Sequence, residues 1–214
     1  MSPSKPLLRW RLVRQDNQRE IELARRLKNG DASAFEPFVD AFHGKLFQYS
    51  YMMCGHREDA EEVAQETLMK VFDNFAKLRE PEHVRAWVFR IARNVCIVKR
   101  RKSVFAPVEE ISLDEVKPNW KGDGDSRRLD IADWSALPEQ LAIDSEISGM
   151  VRAAIQELPE IYKTVLLLRD VEGMTTAESA GILDVSEEVV KTRLHRARLA
   201  VRQKLDSSLK AVAA

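Results

Sequence analysis

Cysteine, glycine and proline are all scarce, with 2 Cys, 8 Gly and 8 Pro in 214 residues. Two thiols cannot build the disulfide framework of a small secreted domain, and a reducing cytoplasm is the expected compartment. So little Gly and Pro excludes collagen-like and low-complexity chains. No apolar run approaches the roughly 20 residues that span a bilayer, so no membrane insertion is expected. The first twenty residues carry Arg9, Arg11, Arg14 and Arg19 but lack the apolar stretch of a secretory signal. Strand-like alternation of useful length is missing. So are a Ser/His/Asp grouping, a Gly-rich phosphate loop and a catalytic carboxylate pair, and neither enzymatic activity nor a cofactor is expected. Net charge is absent as well: Lys+Arg and Asp+Glu are 34 each. The strongly basic total of many nucleic-acid-binding proteins is therefore not found.

The zero hides blocks of opposite sign. Residues 84–103 hold seven bases and no acid, whereas residues 104–146 hold eleven acids against four bases. After Glu188 no acid occurs until Asp206, and Lys191, Arg193, Arg196, Arg198, Arg202 and Lys204 fall between them. Such blocks create local potentials that suit phosphate, although a solvated helix face would read the same way from charge alone.

Apolar spacing is helical throughout, and at about 100–200 residues per domain the chain has room for one or two. A first helix ends near Leu27, Asn29-Gly30 breaks it, and Asp31 is a natural N-cap for the next. Phe35, Phe38, Val39, Phe42, Leu46 and Tyr49 then form one stripe that Gly55 closes. Ala60, Val63, Ala64, Leu68, Val71, Phe72 and Phe75 form a second, and Val84, Trp87, Val88, Ile91, Ala92, Val95 and Val98 a third. Between the last two lies a short turn, Lys77 to His83, containing Pro81. Trp87 matches the buried stripe, whereas Phe89 and Asn94 lie off it and are expected to be exposed contacts. The connector 103–144 is acidic and contains Pro107, Pro118 and Pro138, which predicts an extended linker with short helical turns near Trp120 and Trp134. The predicted fold is all-α: two helical domains joined by an acidic flexible linker.

In the second block Pro159 begins a helix whose core candidates are Val165, Leu166 and Leu168, and Gly173 ends it. Thr175-x-x-Glu178 has the spacing of a capping box. The helix it opens stops near Leu183, and Ser186 can cap a last helix with Val190, Leu194, Ala197 and Val201 buried. Two short helices joined by a tight turn predict a helix-turn-helix, whose second helix enters the major groove. By that geometry Lys191, Thr192, His195 and Arg196 face base edges, chemistry that Arg and Thr suit. The helix 84–102 supplies a second basic surface through Arg85, Arg90, Arg93, Lys99, Arg100, Arg101 and Lys102, interleaved with aromatics as single-stranded DNA binding requires. Cys54, His56, His83 and Cys96 lack metal-ligand spacing; the cysteines read as small hydrophobes and no metal is expected.

Six ordered motifs together resemble the sigma-70 family of bacterial transcription initiation factors, in its small extracytoplasmic-function (ECF) group. Gly30-Asp31-Ala-Ser-Ala34-Phe35, Asp59-Ala-Glu-Glu-Val-Ala-Gln65-Glu66 and Arg85-Ala-Trp87-Val-Phe-Arg-Ile91-Ala92-Arg-Asn94 are similar to sigma region 2. Leu158-Pro159-Glu160, Leu166-Leu-Leu-Arg169-Asp170-Val-Glu172-Gly173 and Val190-Lys-Thr-Arg193-Leu194-His195-Arg196-Ala197-Arg198 are similar to region 4. The resemblance implies a basic N-terminal arm (1–17), region 2 (18–102), the acidic linker (103–144), region 4 (145–209) and a short tail (210–214). The arm, without counterpart in the family pattern, is read as disordered.

The resemblance also implies partners. Core RNA polymerase would be met through its β′ clamp helices and β flap, with Asp59, Glu62, Gln65 and Glu66 on the clamp. Promoter DNA would be held at the minus-ten element by Lys77, Arg79, His83, Arg85, Phe89, Arg90, Arg93, Asn94, Arg100 and Arg101. At the minus-thirty-five element Thr175, Lys191, Thr192, Arg193, His195, Arg196 and Arg198 would serve. The linker would thread polymerase channels. With no sensing domain expected after Leu209, an inhibitor would be a separate anti-sigma factor, and the protein would be cytoplasmic, on the nucleoid when in holoenzyme. Two departures stand out: Val98 occupies a place where relatives usually carry Asp, and Pro37 lies inside the first region 2 helix. The rival reading is a free-standing helix-turn-helix regulator that does not engage polymerase.

Overall fold

The computed structural model describes the backbone of residues 5–102 and 141–212, and the side chains of residues 17–100 and 149–209. Every regular element among them is helical. The N-terminal unit comprises α1 (Lys5–Lys28), α2 (Phe35–Cys54), α3 (Arg57–Asp73) and α4 (Val84–Lys102). The C-terminal unit comprises α5 (Leu141–Gln156), α6 (Glu160–Leu166), α7 (Thr176–Leu183) and α8 (Glu187–Val212). The connector up to residue 140, with the turns expected near Trp120 and Trp134, lies outside the described residues.

Local chemistry sets most of the boundaries. Gly30 takes φ 85° after α1, a left-handed value that costs glycine nothing, and Asp31 caps the 3-10 turn Ala32–Ala34 by accepting from the Ser33 N–H. α2 therefore starts late, at Phe35, so Pro37 occupies its third position, where no intrahelical hydrogen bond is lost. Gly55, at φ 83°, ends α2 by donating its N–H to the Tyr51 carbonyl. Thr175 and Glu178 form both bonds of the capping box, and Ser186 Oγ accepts from the Val189 N–H at 3.3 Å.

Three boundaries differ from expectation. α1 begins at Lys5, so the backbone of most of the expected arm is continuous with the helix that ends at Lys28. α5 begins at Leu141, inside the expected linker. Pro159 is the N-cap of α6 rather than its first helical residue. One feature has no sequence signature: the chain from Leu167 to Val171 widens into a π turn, buried at Leu167 and Leu168.

The N-terminal core is aromatic. Phe38 and Phe42 are fully buried, with Phe75 edge-on to Phe38 at 5.8 Å and Phe35 against Phe72 at 4.1 Å. α2 packs on α3 and α4, and α1 covers α2 and α4. In the C-terminal unit α5, α6 and α7 all pack on α8, burying Val190, Leu194, Ala197 and Val201 along one seam as its spacing predicts. The two units also touch each other: α4 lies against α7, and α2 against α5 and α6.

Candidate nucleic-acid interface

On α8 the helix-turn-helix presents Lys191, Thr192, His195 and Arg196, all exposed, on the side away from the buried seam. Asp184, at φ 56°, makes the tight turn between α7 and α8. Arg193 is half-buried. Arg198 behaves differently from its neighbours: Nε and Nη2 grip Asp170 at 2.9 and 2.6 Å, and this pairing holds its guanidinium above its ordinary pKa. That fork fixes α8 against the π turn. Thr175 is exposed, but its hydroxyl is committed to Glu178.

The basic surface of α4 is less open than its sequence suggests. Phe89, expected as an exposed contact, is fully buried, edge-on to Tyr49 with ring centres 5.4 Å apart. The expectation fails because α4 is covered by α1, α2 and α3 together, so its buried arc is wider than one stripe. Val98 errs in the opposite sense, lying in the stripe yet 47% exposed. Trp87 is half-buried against Phe75, and Asn94 is exposed as expected.

Three of the arginines point into the C-terminal unit. Arg85, its side chain 12% exposed, meets Glu172 at 3.4 Å and Glu20 at 3.8 Å. Arg90 donates to the Gly181 carbonyl, and Arg100 pairs with Glu160 at 2.8 Å. Burial, opposed by Arg85 and Lys45, raises the Glu172 carboxyl to about 7. No sequence signal marks these pairs, since the partners lie on separate units. Arg93 is half-buried, and the Arg101 side chain lies outside the described residues.

The turn before α4 consists of two 3-10 segments, Phe75–Lys77 and Pro81–His83, around buried Leu78. Lys77, Arg79 and His83 are exposed on it. Lys77 reaches Asn74 at 2.6 Å, His83 lies 3.2 Å from Glu80, and Lys28 of α1 donates to the Arg79 carbonyl. The turn is thus pinned to α1 while its side chains stay outside.

On α3, Glu62 and Gln65 are exposed and Asp59 and Glu66 half-buried. Lys99 of α4 binds both Glu62 and Asp59, and Glu66 pairs with Lys70 at 2.8 Å. Met69, 67% exposed, continues the face of Glu62, Gln65 and Glu66 at helical spacing. Sequence reasoning missed it, though an unburied Met outside the apolar stripe is a readable signal.

The pattern of Sigma-70 region 2 matches residues 38–104, and that of Sigma-70, region 4 matches residues 148–201. The ECF RNA polymerase sigma factor SigW of Bacillus subtilis is 30% identical over 183 residues, covering 85% of this chain and 94% of SigW. The RNA polymerase sigma-H factor of Pseudomonas aeruginosa is 26% identical over 197 residues, covering 90% and 97%. Among solved structures, CnrH in complex with the cytosolic domain of CnrY matches with TM-score 0.60 at 22% identity, covering 88% of this chain and 97% of that one. The sigma factor RpoE in complex with the anti-sigma factor NepR from Bartonella quintana matches with TM-score 0.57 at 20% identity, covering 80% and 96%. The chain belongs to the sigma-70 family, in its ECF group, and is an RNA polymerase sigma factor that directs promoter transcription. Such factors regulate transcription without an enzymatic activity of their own, and the free-standing regulator is not favoured. Among the described residues no helix is long and apolar enough to cross a membrane.

Proposed function

We propose that the N-terminal unit docks on the β′ clamp helices of core polymerase through Glu62, Gln65, Glu66 and Met69, with Asp59 at the edge. Carboxylates and an amide around one exposed thioether suit a partner surface rich in arginine with an apolar centre. The turn 75–83 and the start of α4 then take the non-template strand of the minus-ten element, with Lys77, Arg79, His83, Arg93 and Asn94 accessible from the outset. Extruding a base costs a few kcal/mol, which contacts of this kind must offset. α8 reads the minus-thirty-five duplex through Lys191, Thr192, His195 and Arg196, while Arg198 holds the helix in place. The linker threads polymerase channels, the β flap holds region 4, and a separate anti-sigma factor restrains the protein in the cytoplasm.

The observation that carries this reading is the exposed face of α8, without an acid between Glu188 and Asp206, set on a capped helix-turn-helix, with Glu188 3.8 Å from Lys191 at its N-terminal edge. Arg85 and Arg100 join the promoter surface only when the two units part, because each is paired with a carboxylate of the C-terminal unit, whereas Arg90 is exposed and donates from one Nη to the Gly181 carbonyl. Reconstituted transcription with core polymerase tests the reading. Addition of this chain yields a promoter-dependent transcript, and Gln65→Ala with Glu66→Ala lowers retention on immobilised core about tenfold, the loss that an interface pair worth 1–2 kcal/mol gives. Equal retention of the double variant, with no transcript from any promoter, would leave the free-standing regulator.

A further inference from the structure

The chain contains two cysteines, and the fold brings them together. Cys54 is the last residue of α2, Cys96 lies midway along α4, and these helices pack directly on each other. Cys96 Sγ reaches Ser50, one turn before Cys54 on the same face of α2, which sets the two thiols beside each other, and each shifts the titration of the other. Their accessibility is unequal: Cys54 is partly open to solvent, whereas Cys96 is fully buried and donates to the Ser50 hydroxyl at 4.0 Å.

Charge around the pair is also unequal. Arg100 and Lys99 of α4 favour a Cys54 thiolate and Asp59 of α3 opposes it, while the Lys163 ammonium of α6, within electrostatic reach of Cys54, donates to the Gln156 carbonyl at 2.6 Å. The C-terminal end of α2 disfavours an anion, so the cations and the partner thiol must outweigh it. The neighbouring Cys96 thiol lowers the Cys54 thiol, whereas Cys54 and burial push Cys96 well up. One sulfur is therefore the nucleophile and the other stays protonated beside it, the arrangement of an attacking and a resolving thiol.

We propose that Cys54 and Cys96 form a dithiol oxidised by hydroperoxides, Cys54 attacking and Cys96 resolving to an intramolecular disulfide that ties the end of α2 to the middle of α4. The Cys54 thiolate attacks the terminal peroxide oxygen; an S–O bond forms, the O–O bond breaks, and the departing oxygen takes a proton from water. The Cys96 sulfur then attacks Cys54, the S–S bond forms, and the sulfenic oxygen leaves as water with the Cys96 proton. Two electrons pass from the dithiol to the peroxide. This site does not depend on the promoter reading, since both helices belong to one unit.

The test treats the full chain with equimolar hydrogen peroxide, blocks free thiols, and maps peptides without reductant. The expected result is loss of both free thiols, a Cys54–Cys96 cross-linked peptide pair within one chain, and its reversal by dithiothreitol. The first thiol of the wild type reacts at least about tenfold faster than that of Cys54→Ser, as a larger thiolate fraction dictates. In Cys96→Ala, which keeps the buried site apolar, a cyclic dione traps Cys54 as the sulfenic acid. The wild-type map decides by itself if that variant fails to fold. Two thiols still free at a dose that consumes cysteine in the same buffer, a cross-link only between chains, or Cys54 sulfinic acid without a cross-link would each overturn the proposal.

Discussion

Arg85 of α4 and Glu172, beyond the π turn of the other unit, lie 3.4 Å apart with side chains 12% and 5% exposed. Glu20 of α1 completes the group and is itself bound by Lys45 at 2.6 Å. The group is not fully satisfied: Arg85 Nε and Glu20 Oε2 are buried without a hydrogen-bond partner. The desolvation of two buried carboxylates with incomplete pairing offsets much of what the ion pairs return, so this contact orients the two units on each other more than it holds them together.

Glu172 makes the stability of the folded chain depend on pH. Burial raises its carboxyl to about 7, from 4.5 in the unfolded chain. The folded state therefore binds the extra proton between these values, and its stability is fully present below pH 4.5 and lost as pH rises through 7. The shift corresponds to about 3 kcal/mol at most. Thermal unfolding from pH 5 to 8 should show the wild type losing stability relative to Glu172→Gln, which keeps a neutral side chain throughout. Parallel pH profiles for the two proteins would refute the assignment.

Phe89 is a core residue, so truncating it should act on folding rather than on DNA. Phe89→Ala removes the ring packed against Tyr49 and should cost about 3–5 kcal/mol in urea denaturation, by lost burial and a residual cavity. A stable variant with a selective defect in promoter opening would restore Phe89 to the DNA surface.

The capping box should be measurable as stability of the C-terminal unit. Thr175→Ala removes the hydroxyl that accepts from the Glu178 N–H at 3.1 Å, and should cost about 1 kcal/mol. An unchanged midpoint in denaturant would show that another group takes over that N–H.

Arg196 and Arg198 are neighbours in sequence with opposite expectations. Arg196 is exposed and Arg198 is clamped on Asp170. Arg196→Ala should weaken promoter binding by holoenzyme about 10- to 100-fold, with a shallower salt dependence if the contact is to phosphate. Arg198→Ala should instead lower the melting temperature of the free protein. Footprinting at several salt concentrations, beside thermal scans, separates the two.

Much of the fold was legible because its cues are local. The apolar stripe of α8, Gly55 after α2, Asp31 before the 3-10 turn and the Thr175–Glu178 box each act within a few residues, and each takes the form its local sequence predicts. The face of α4 departs from its pattern at Phe89 and Val98 because helical spacing identifies one stripe and says nothing of how many neighbours cover a helix. The π turn at 167–171 replaces a regular helix with no change in apolar pattern, so nothing in spacing announces it.

The order of residues by itself determined that this chain is helical, where most of its helices begin and end, and that its bases gather on α4 and α8, since backbone satisfaction and apolar period depend on near neighbours. Only the tertiary structure decided which bases stay open. Arg196 faces outward while Arg85 is closed over by Glu172, and Cys54 meets Cys96, because such pairings depend on the docking of helices distant in the chain, and close-packed interiors bring those groups together irrespective of their spacing in sequence.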